Sequence, residues 1–299
     1  LIEMGDLIIV AVAGFLASMV DGALGMGFGP TSSSILLSQG FSPAVTSTIV
    51  NLAKVATGLS AAGAHWRFRN IDRRLVLKLA VPGAAGALVG VTILANVDGN
   101  KLKPILAALL LLVAIRILAR FSSLPSRPAG ADDDKPPTFD ERGTIPTAAL
   151  GGVTNGLVGA WGPVVTPFLL HKGLAPRFAI GSVNTAEVAV AVVASGSLLG
   201  SIGGGGVDFG IVAAMIIGGV IASPIAAWGI RFLPARAMGI AVGALLLTTN
   251  LRELANWADV GRMRWVGYVA IALVTALAAL RLRLAERRQV VVVVDPAAA

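Results

Sequence analysis

The stretch "DGALGMGFGPTSSS" begins at Asp21 and places Gly25, Gly27 and Gly29 ahead of Pro30, between apolar runs. Glycine lets a backbone turn sharply, and proline is favoured at the first position of a helix, so the spacing predicts a turn that opens directly into a helix. The first N–H groups of such a helix have no partner in their own chain and carry the positive end of its dipole, which is the chemistry that receives an anion. Thr31, Ser32 and Ser33 add hydroxyl donors beside them. A second start of the same kind lies in "NGLVGAWGP" from Asn155, where Gly162 and Pro163 are followed by Val164. The plainer reading of either stretch is a tight hairpin packed against its neighbour, with the hydroxyls bonded to local backbone. For two starts that mirror one another, a shared binding site is the better account.

Four polar residues lie further along the helices that follow. Asn51 and Lys54 come after Pro43, and Asn184 and Glu187 after Pro176, at identical spacing. A charge inside an apolar helix is costly, so Lys54 and Glu187 are functional candidates. Two readings are open for them: an ion pair with each other, or separate tasks, with Lys54 attracting an anion and Glu187 carrying a coupling proton. For the asparagines, anion binding competes with the plainer role of hydrogen bonding between helices. Trp161 is the tryptophan predicted away from a membrane interface, whereas Trp66, Trp228, Trp257 and Trp265 fall near helix ends. It either shapes a pocket or packs in the core, where its indole N–H needs a partner.

These residues need elements to hold them, and the composition says in which solvent. Of 299 residues, 56% are hydrophobic and 13% charged, and mean hydropathy is +0.82. That profile defines a polytopic membrane protein. Segments 45–64, 75–95, 104–118, 180–199, 209–230, 235–251 and 265–282 are predicted crossings. The polar, proline-containing run 119–143 reads as a flexible linker. The predicted organisation is a first membrane repeat at 1–120, a cytoplasmic linker at 121–142, a second repeat at 143–251, and an extra crossing with a basic tail at 252–299. The tail "VVVVVDPAAA" reads as disordered. "GAAGALVG" at Gly83, "GSLLG" at Gly196 and "GIAVG" at Gly239 read as close-packing helix faces.

An offset of 133 residues superposes Gly29, Pro30, Leu36, Leu37, Gly40, Pro43, Asn51 and Val55 on Gly162, Pro163, Leu169, Leu170, Gly173, Pro176, Asn184 and Val188. Duplication explains this better than chance. The loop "HWRFRNIDRR" after the first of the matched helices is strongly basic, while "SIGGGGVD" after the second has no cation, so the two helices point in opposite directions. Each half must then make an odd number of crossings, which turns the glycine-rich stretches into re-entrant or broken hairpins reaching the midplane. The predicted fold is therefore an all-α polytopic membrane protein. It has two inverted-topology repeats, each a hairpin plus three transmembrane helices, with one extra C-terminal helix.

Other classes fit less well. The net charge of +8 sits at helix ends with no aromatic platform for bases, so no nucleic-acid partner is expected. The chain has no cysteine, and His65 and His171 are too far apart to suggest a metal site; neither metal nor cofactor is expected. "GMGFG" lacks the preceding strand and the GK[ST] of a nucleotide loop. A serine nucleophile among Ser32 to Ser34 would lack a base, and no G-x-S-x-G elbow exists, so the chain is not read as an enzyme.

The paired tips ending in Gly-Pro, the continuations "GFSP" and "GLAP", the asparagine in the next helix, and the basic loop before "VPGAAGALVG" together resemble the sulfite exporter TauE/SafE family, also called the toluene sulfonate uptake permease family. Phe28, Ala160 and Trp161 stand where the family's tips are more uniformly glycine. The resemblance implies a secondary permease of the bacterial inner membrane, with its C-terminus cytoplasmic, for small sulfur-containing anions: sulfite, or C2 organosulfonates such as sulfoacetate. The substrate would sit between the tips, at Gly29 to Ser33 and Trp161 to Val164, with Asn51, Lys54 and Asn184 alongside and alternating access around it. A passive anion channel and a permease for a non-sulfur organic anion are the competing readings. Import or export, the coupling ion and a homodimeric assembly stay open.

Overall fold

The computed structural model describes residues 4–24, 26–123, 139–202, 207–229 and 235–294. Among them there is no strand. The first half runs α1 (Met4–Leu24), α2 (Phe28–Ser38), α3 (Pro43–Arg67), α4 (Arg73–Asn96) and α5 (Gly99–Ser123). The second runs α6 (Thr144–Val158), α7 (Gly162–His171), α8 (Pro176–Ile202), α9 (Phe209–Gly229) and α10 (Ala235–Trp257). A short 3-10 turn at Gly261–Met263 leads into α11 (Arg264–Val294). Each half therefore presents the same order: a helix, a short helix, then three long ones.

The short helices are where the Gly-Pro starts predict them. α2 has 11 residues and α7 has 10, which is about 15 Å of rise and half of a hydrocarbon core about 30 Å thick. Both end on a glycine in the left-handed region, Gly40 and Gly173, each at φ +92°, with Pro43 and Pro176 opening the next helix. In both, the N–H one past the glycine returns to a carbonyl five residues back, Phe41 to Leu36 and Leu174 to Leu169. The duplication legible in the sequence thus extends to its helix stops. The arms that precede them differ: α1 has 21 residues and α6 only 15.

The halves interlock. α1 packs chiefly on α9 and α6 on α4, so the first arm of each tip lies against a helix of the other half; α3 packs on α8 and α5 on α10. Small residues allow the close approaches: a Cβ on Gly152 would fall 1.9 Å from the Gly83 carbonyl oxygen, and one on Gly218 2.0 Å from that of Ala11. "GAAGALVG" and "GIAVG" are packing faces, as expected, with Gly83, Gly86 and Gly90 against α6 and Gly239 against Phe121. "GSLLG" is not: Gly196 and Gly200 meet nothing within 4 Å, because that side of α8 faces outward.

Among the described residues, four helical stretches are long and apolar enough to cross a bilayer: Arg73–Asn96, Gly99–Ser122, Arg177–Ser201 and Gly261–Arg281. Trp66, Trp257 and Trp265 are 63 to 69% exposed, as belt residues should be. Two expected boundaries shift. α5 continues to Ser123, into the predicted linker, and α11 continues through Val294, so the five valines of the tail extend a helix. The far end of the linker is anchored: Asp140 pairs with Lys172 at 2.6 Å, and Glu141 with Lys78. Residues 124–138, Gly25 and the last residues of the tail lie outside the described residues.

Candidate functional site

The two tips touch. Gly29, at the start of α2, lies so close to Gly159, just past α6, that a Cβ on it would sit 1.8 Å from the Gly159 carbonyl oxygen. Gly159 is itself left-handed, with φ +68°, and α6 ends on it with the Ala160 N–H returning to Thr154 O at 3.3 Å. The last carbonyls of a helix have no intrahelical donor and carry its negative pole. Here side chains of the first half supply the donors. Ser33 Oγ donates to Val158 O at 2.8 Å, Ser47 Oγ to Gly156 O at 2.6 Å, and Lys54 Nζ to Gly159 O at 2.6 Å.

A polar chain continues from there. Lys54 Nζ also donates to Asn155 Oδ1 at 3.0 Å, and the Asn155 amide donates to Asn51 Oδ1 at 2.7 Å. Asn51 in turn donates to Ser47 O at 2.9 Å. The third partner of Lys54 is Glu187, in an ion pair across the two halves. Lys54 is 5% exposed and Asn51 fully buried, while the Glu187 side chain keeps 19% of its surface. Of the two readings open for this Lys and Glu, the ion pair is the one the structure contains. The Lys54 ammonium is thus shared by the Glu187 carboxylate, the Asn155 amide and the end of α6, at the junction of the tips.

Asp21 changes the expectation for α2. Its Oδ1 accepts from the N–H groups of Gly27 at 2.8 Å and Phe28 at 3.3 Å, so a carboxylate of the protein itself occupies the positive pole read as an anion site. The hydroxyls beside it are in another state. Thr31 Oγ1 and Ser32 Oγ are fully buried and have no hydrogen-bond partner among the described residues, and Thr166 Oγ1 on α7 is the same.

Gly29, Ser33, Asn51 and Lys54 from the first half are thus brought up to α6 and its end, while Pro30, Thr31 and Ser32 lie buried in α2. Gly162, Pro163 and Val164 open α7 as expected, but the Val164 N–H bonds within its own turn, to Trp161 O at 3.1 Å. Asn184 is half-buried and its side chain makes no hydrogen bond with the described residues. Trp161 is fully buried in the apolar core, donates from Nε1 to Val183 O at 3.1 Å, and lies against Gly83 and Gly151. Phe28, which occupies the matching position in the first half, is buried in the other apolar cluster, with Val10, Ile49 and Met215. Each aromatic pins its own tip to a core.

Asp21 and Asn155 are the site residues that sequence reasoning missed. The signal was present: each opens its glycine-rich stretch, as "DG" and "NG", one residue out of the 133 register because the first tip is one residue longer.

A helical membrane protein built of two interlocked, similarly ordered halves, with broken helices meeting at a buried charge cluster, belongs to the transporter class of architectures. The sulfite exporter TauE/SafE family model matches residues 10–252, and the chain belongs to that family. It is 37% identical over 270 residues, 90% of this chain and 87% of the relative, to the "Probable membrane transporter protein YtnM" of Bacillus subtilis (strain 168). No solved structure matches it. The chain is a multi-pass membrane transporter of this family.

Proposed function

We propose that the chain is a secondary permease of the bacterial inner membrane that carries a small sulfur-containing anion, sulfite or a C2 organosulfonate such as sulfoacetate. The anion would bind at the junction of the tips, and its two inverted repeats, with the C-terminus cytoplasmic, would rock around it. The observation that carries this reading is the pair of buried, unpartnered hydroxyls of Thr31 and Ser32, the fourth and fifth residues of α2. A buried donor without a partner costs about 1–3 kcal/mol, and a sulfonate oxygen would remove that cost.

The protein's own carboxylates would hold the tips together in the absence of substrate. Asp21 sits on the α2 N-terminus and Glu187 on Lys54, so both positive features are neutralised while the tips touch. A substrate oxyanion would replace Asp21 on the N–H groups of Gly27 and Phe28, or Glu187 on Lys54. Its binding would then part the tips, which is the differential contact a rocking transition requires. Asn51 and Asn155 would keep Lys54 in place through the exchange.

Proteoliposomes with purified protein and labelled sulfoacetate or sulfite test this. Saturable uptake that accelerates when unlabelled substrate is loaded on the far side is expected, with KM raised about tenfold in Thr31→Val/Ser32→Ala, the loss of one to two hydrogen bonds to a charged group. Linear, unsaturable flux would identify a channel. Saturable uptake of carboxylates but not of sulfur anions would move the chain to another substrate class.

A further inference from the structure

Away from the tips, a cavity of about 930 Å3 opens where α3 ends and α4 begins. α3 and α4 hardly touch, and α8 fills the space between them, packing on both. The α3–α4 loop lies over the first turns of α8: Gly181 is against the Asn70 carbonyl, and Ser182 Oγ accepts from the Asp72 N–H at 3.0 Å. Thr185 forms the floor one turn deeper, about 6 Å below the loop. Arg67, Arg69 and Arg73 stand around the mouth.

None of the three arginines has an ion-pair partner among the described residues. Asp72, the carboxylate in their midst, is committed to capping α4 through the N–H groups of Arg74 and Leu75. That cap also removes the α4 N-terminus as a competing anion site. The Arg73 guanidinium lies 5.7 Å from the ring centre of Trp66, itself 69% exposed.

Arg69 is placed by the turn that ends α3. It holds the left-handed position that ends α3, φ +55°, with its N–H on Trp66 O and that of Asn70 on His65 O. α2 and α7 stop with the same pair of bonds and use glycine there, Gly40 and Gly173. α10 stops in the same way on Asp259, φ +46°, so the turn accepts a side chain at some cost, and at the end of α3 it sets the Arg69 side chain over the cavity.

The rest of the groove is built for hydrocarbon. Besides the arginines and Trp66 the lining is Gly63, Ile71, Val76, Leu77 and Thr185, and by helix register the same faces continue with Leu59 on α3, Val81 on α4 and Ala189 and Val192 on α8. Leu59, Leu77, Val81 and Val192 are each at least 50% exposed. A vestibule for a soluble anion would be walled by polar groups and closed to the lipid. This groove is cationic at its mouth and apolar and open along its length.

We propose that it is a binding site for an anionic phospholipid. The phosphate headgroup would rest on Arg67, Arg69 and Arg73, and an acyl chain would run down α8 between Leu59 and Leu77. Basic loops lie on the cytoplasmic side of a membrane, so the lipid belongs to that leaflet. The site does not depend on the identity of the transported substrate.

The full chain in zwitterionic detergent, at physiological ionic strength, is titrated with dioleoylphosphatidylglycerol, dioleoylphosphatidylcholine or inorganic phosphate while its thermal unfolding is followed. Phosphatidylglycerol is expected to raise the midpoint and phosphatidylcholine to leave it unchanged. Each arginine near the surface contributes about fivefold to affinity, so Arg67→Gln/Arg69→Gly/Arg73→Gln should weaken the response about a hundredfold. Arg69→Gly alone removes one guanidinium while relieving the backbone, so it should weaken binding about fivefold with no loss of lipid-free stability. Arg262→Gln/Arg264→Gln, at the far end of the chain, should respond as the wild type does. Equal responses to the two lipids, full retention in Arg69→Gly, or an equal loss in the far-end variant would overturn the proposal. Inorganic phosphate reproducing the shift at low millimolar concentration would make this a soluble-oxyanion site and overturn the lipid assignment.

Discussion

Lys54 of one half donates to the Gly159 carbonyl of the other at 2.6 Å, and Gly29 fits beneath that contact, its α-carbon facing the same carbonyl. A broken helix from the second half is thereby ended by a cation from the first, a favourable arrangement for the negative pole of α6. Gly29→Ala should be among the most damaging single-methyl changes in the protein. Its Cβ would overlap backbone at 1.8 Å and reach Lys54 Nζ at 3.0 Å, so the expected loss is about 1–3 kcal/mol or more, read as a lowered unfolding midpoint in detergent. Gly196→Ala, which meets nothing within 4 Å, should leave the midpoint unchanged.

The ion pair of Lys54 and Glu187 calls for a double-mutant cycle. Lys54→Met leaves Glu187 without its cation and the Gly159 carbonyl without its donor, which should cost about 3–5 kcal/mol. Lys54→Met/Glu187→Gln should cost less than the sum of the two single changes by 0.5 kcal/mol or more. Additive effects in thermal unfolding would mean that the two side chains do not act on each other.

Asn155 joins Lys54 to Asn51, and the matching position in the first half is an acid, Asp21. Asn155→Asp should weaken anion uptake more than Asn155→Ala does, because it adds a second carboxylate beside Lys54, after Glu187, and sets an acceptor against Asn51 Oδ1. KM for sulfoacetate in proteoliposomes distinguishes the two variants. Equal KM values would take Asn155 out of the substrate's electrostatic surroundings.

Trp161 should report on stability and not on affinity. Trp161→Ala opens a cavity worth about 3–5 kcal/mol in a fully buried core, and Trp161→Phe gives up mainly the bond to Val183 O, about 1 kcal/mol. With both, the melting midpoint should fall while KM of the surviving protein stays within twofold of the wild type. A KM change in Trp161→Phe without a change in midpoint would place the indole at the substrate.

Outside the membrane, Asp140 ties the segment before α6 to the end of α7. The hydrogen bond from Lys172, then that from the Arg142 N–H, hold its carboxyl below the ordinary carboxylate range. A depressed folded value means that the tie contributes fully above the unfolded pKa and is lost as pH falls through the folded one. The protection factor of the Arg142 amide, its exchange measured against the intrinsic rate at the same pH, should hold near neutrality and fall only below about pH 4, as the pH passes through the depressed folded value. Asp140→Ala, which removes the acceptor, should show the low protection at both.

The sequence by itself determined the solvent, the helix starts and the register of the duplication. Apolar length, Gly-Pro pairs and a constant offset are local signals, and each is written in consecutive residues. It also placed Lys54 and Glu187 at matching depth, because depth along a helix is a count of residues from its start. What it could not determine is which surface each helix meets. Periodicity identifies residues that share a face, whereas the partner of that face is settled by how all the helices pack at once. Only the tertiary structure decided that Trp161 anchors a core, that Gly196 faces outward while Gly83 is packed shut, and that Asp21 occupies the helix end read as open to an anion. The interlocked halves also turned Lys54 from a lone charge in an apolar helix into the cap of α6, since only there do unpaired carbonyls lie within its reach.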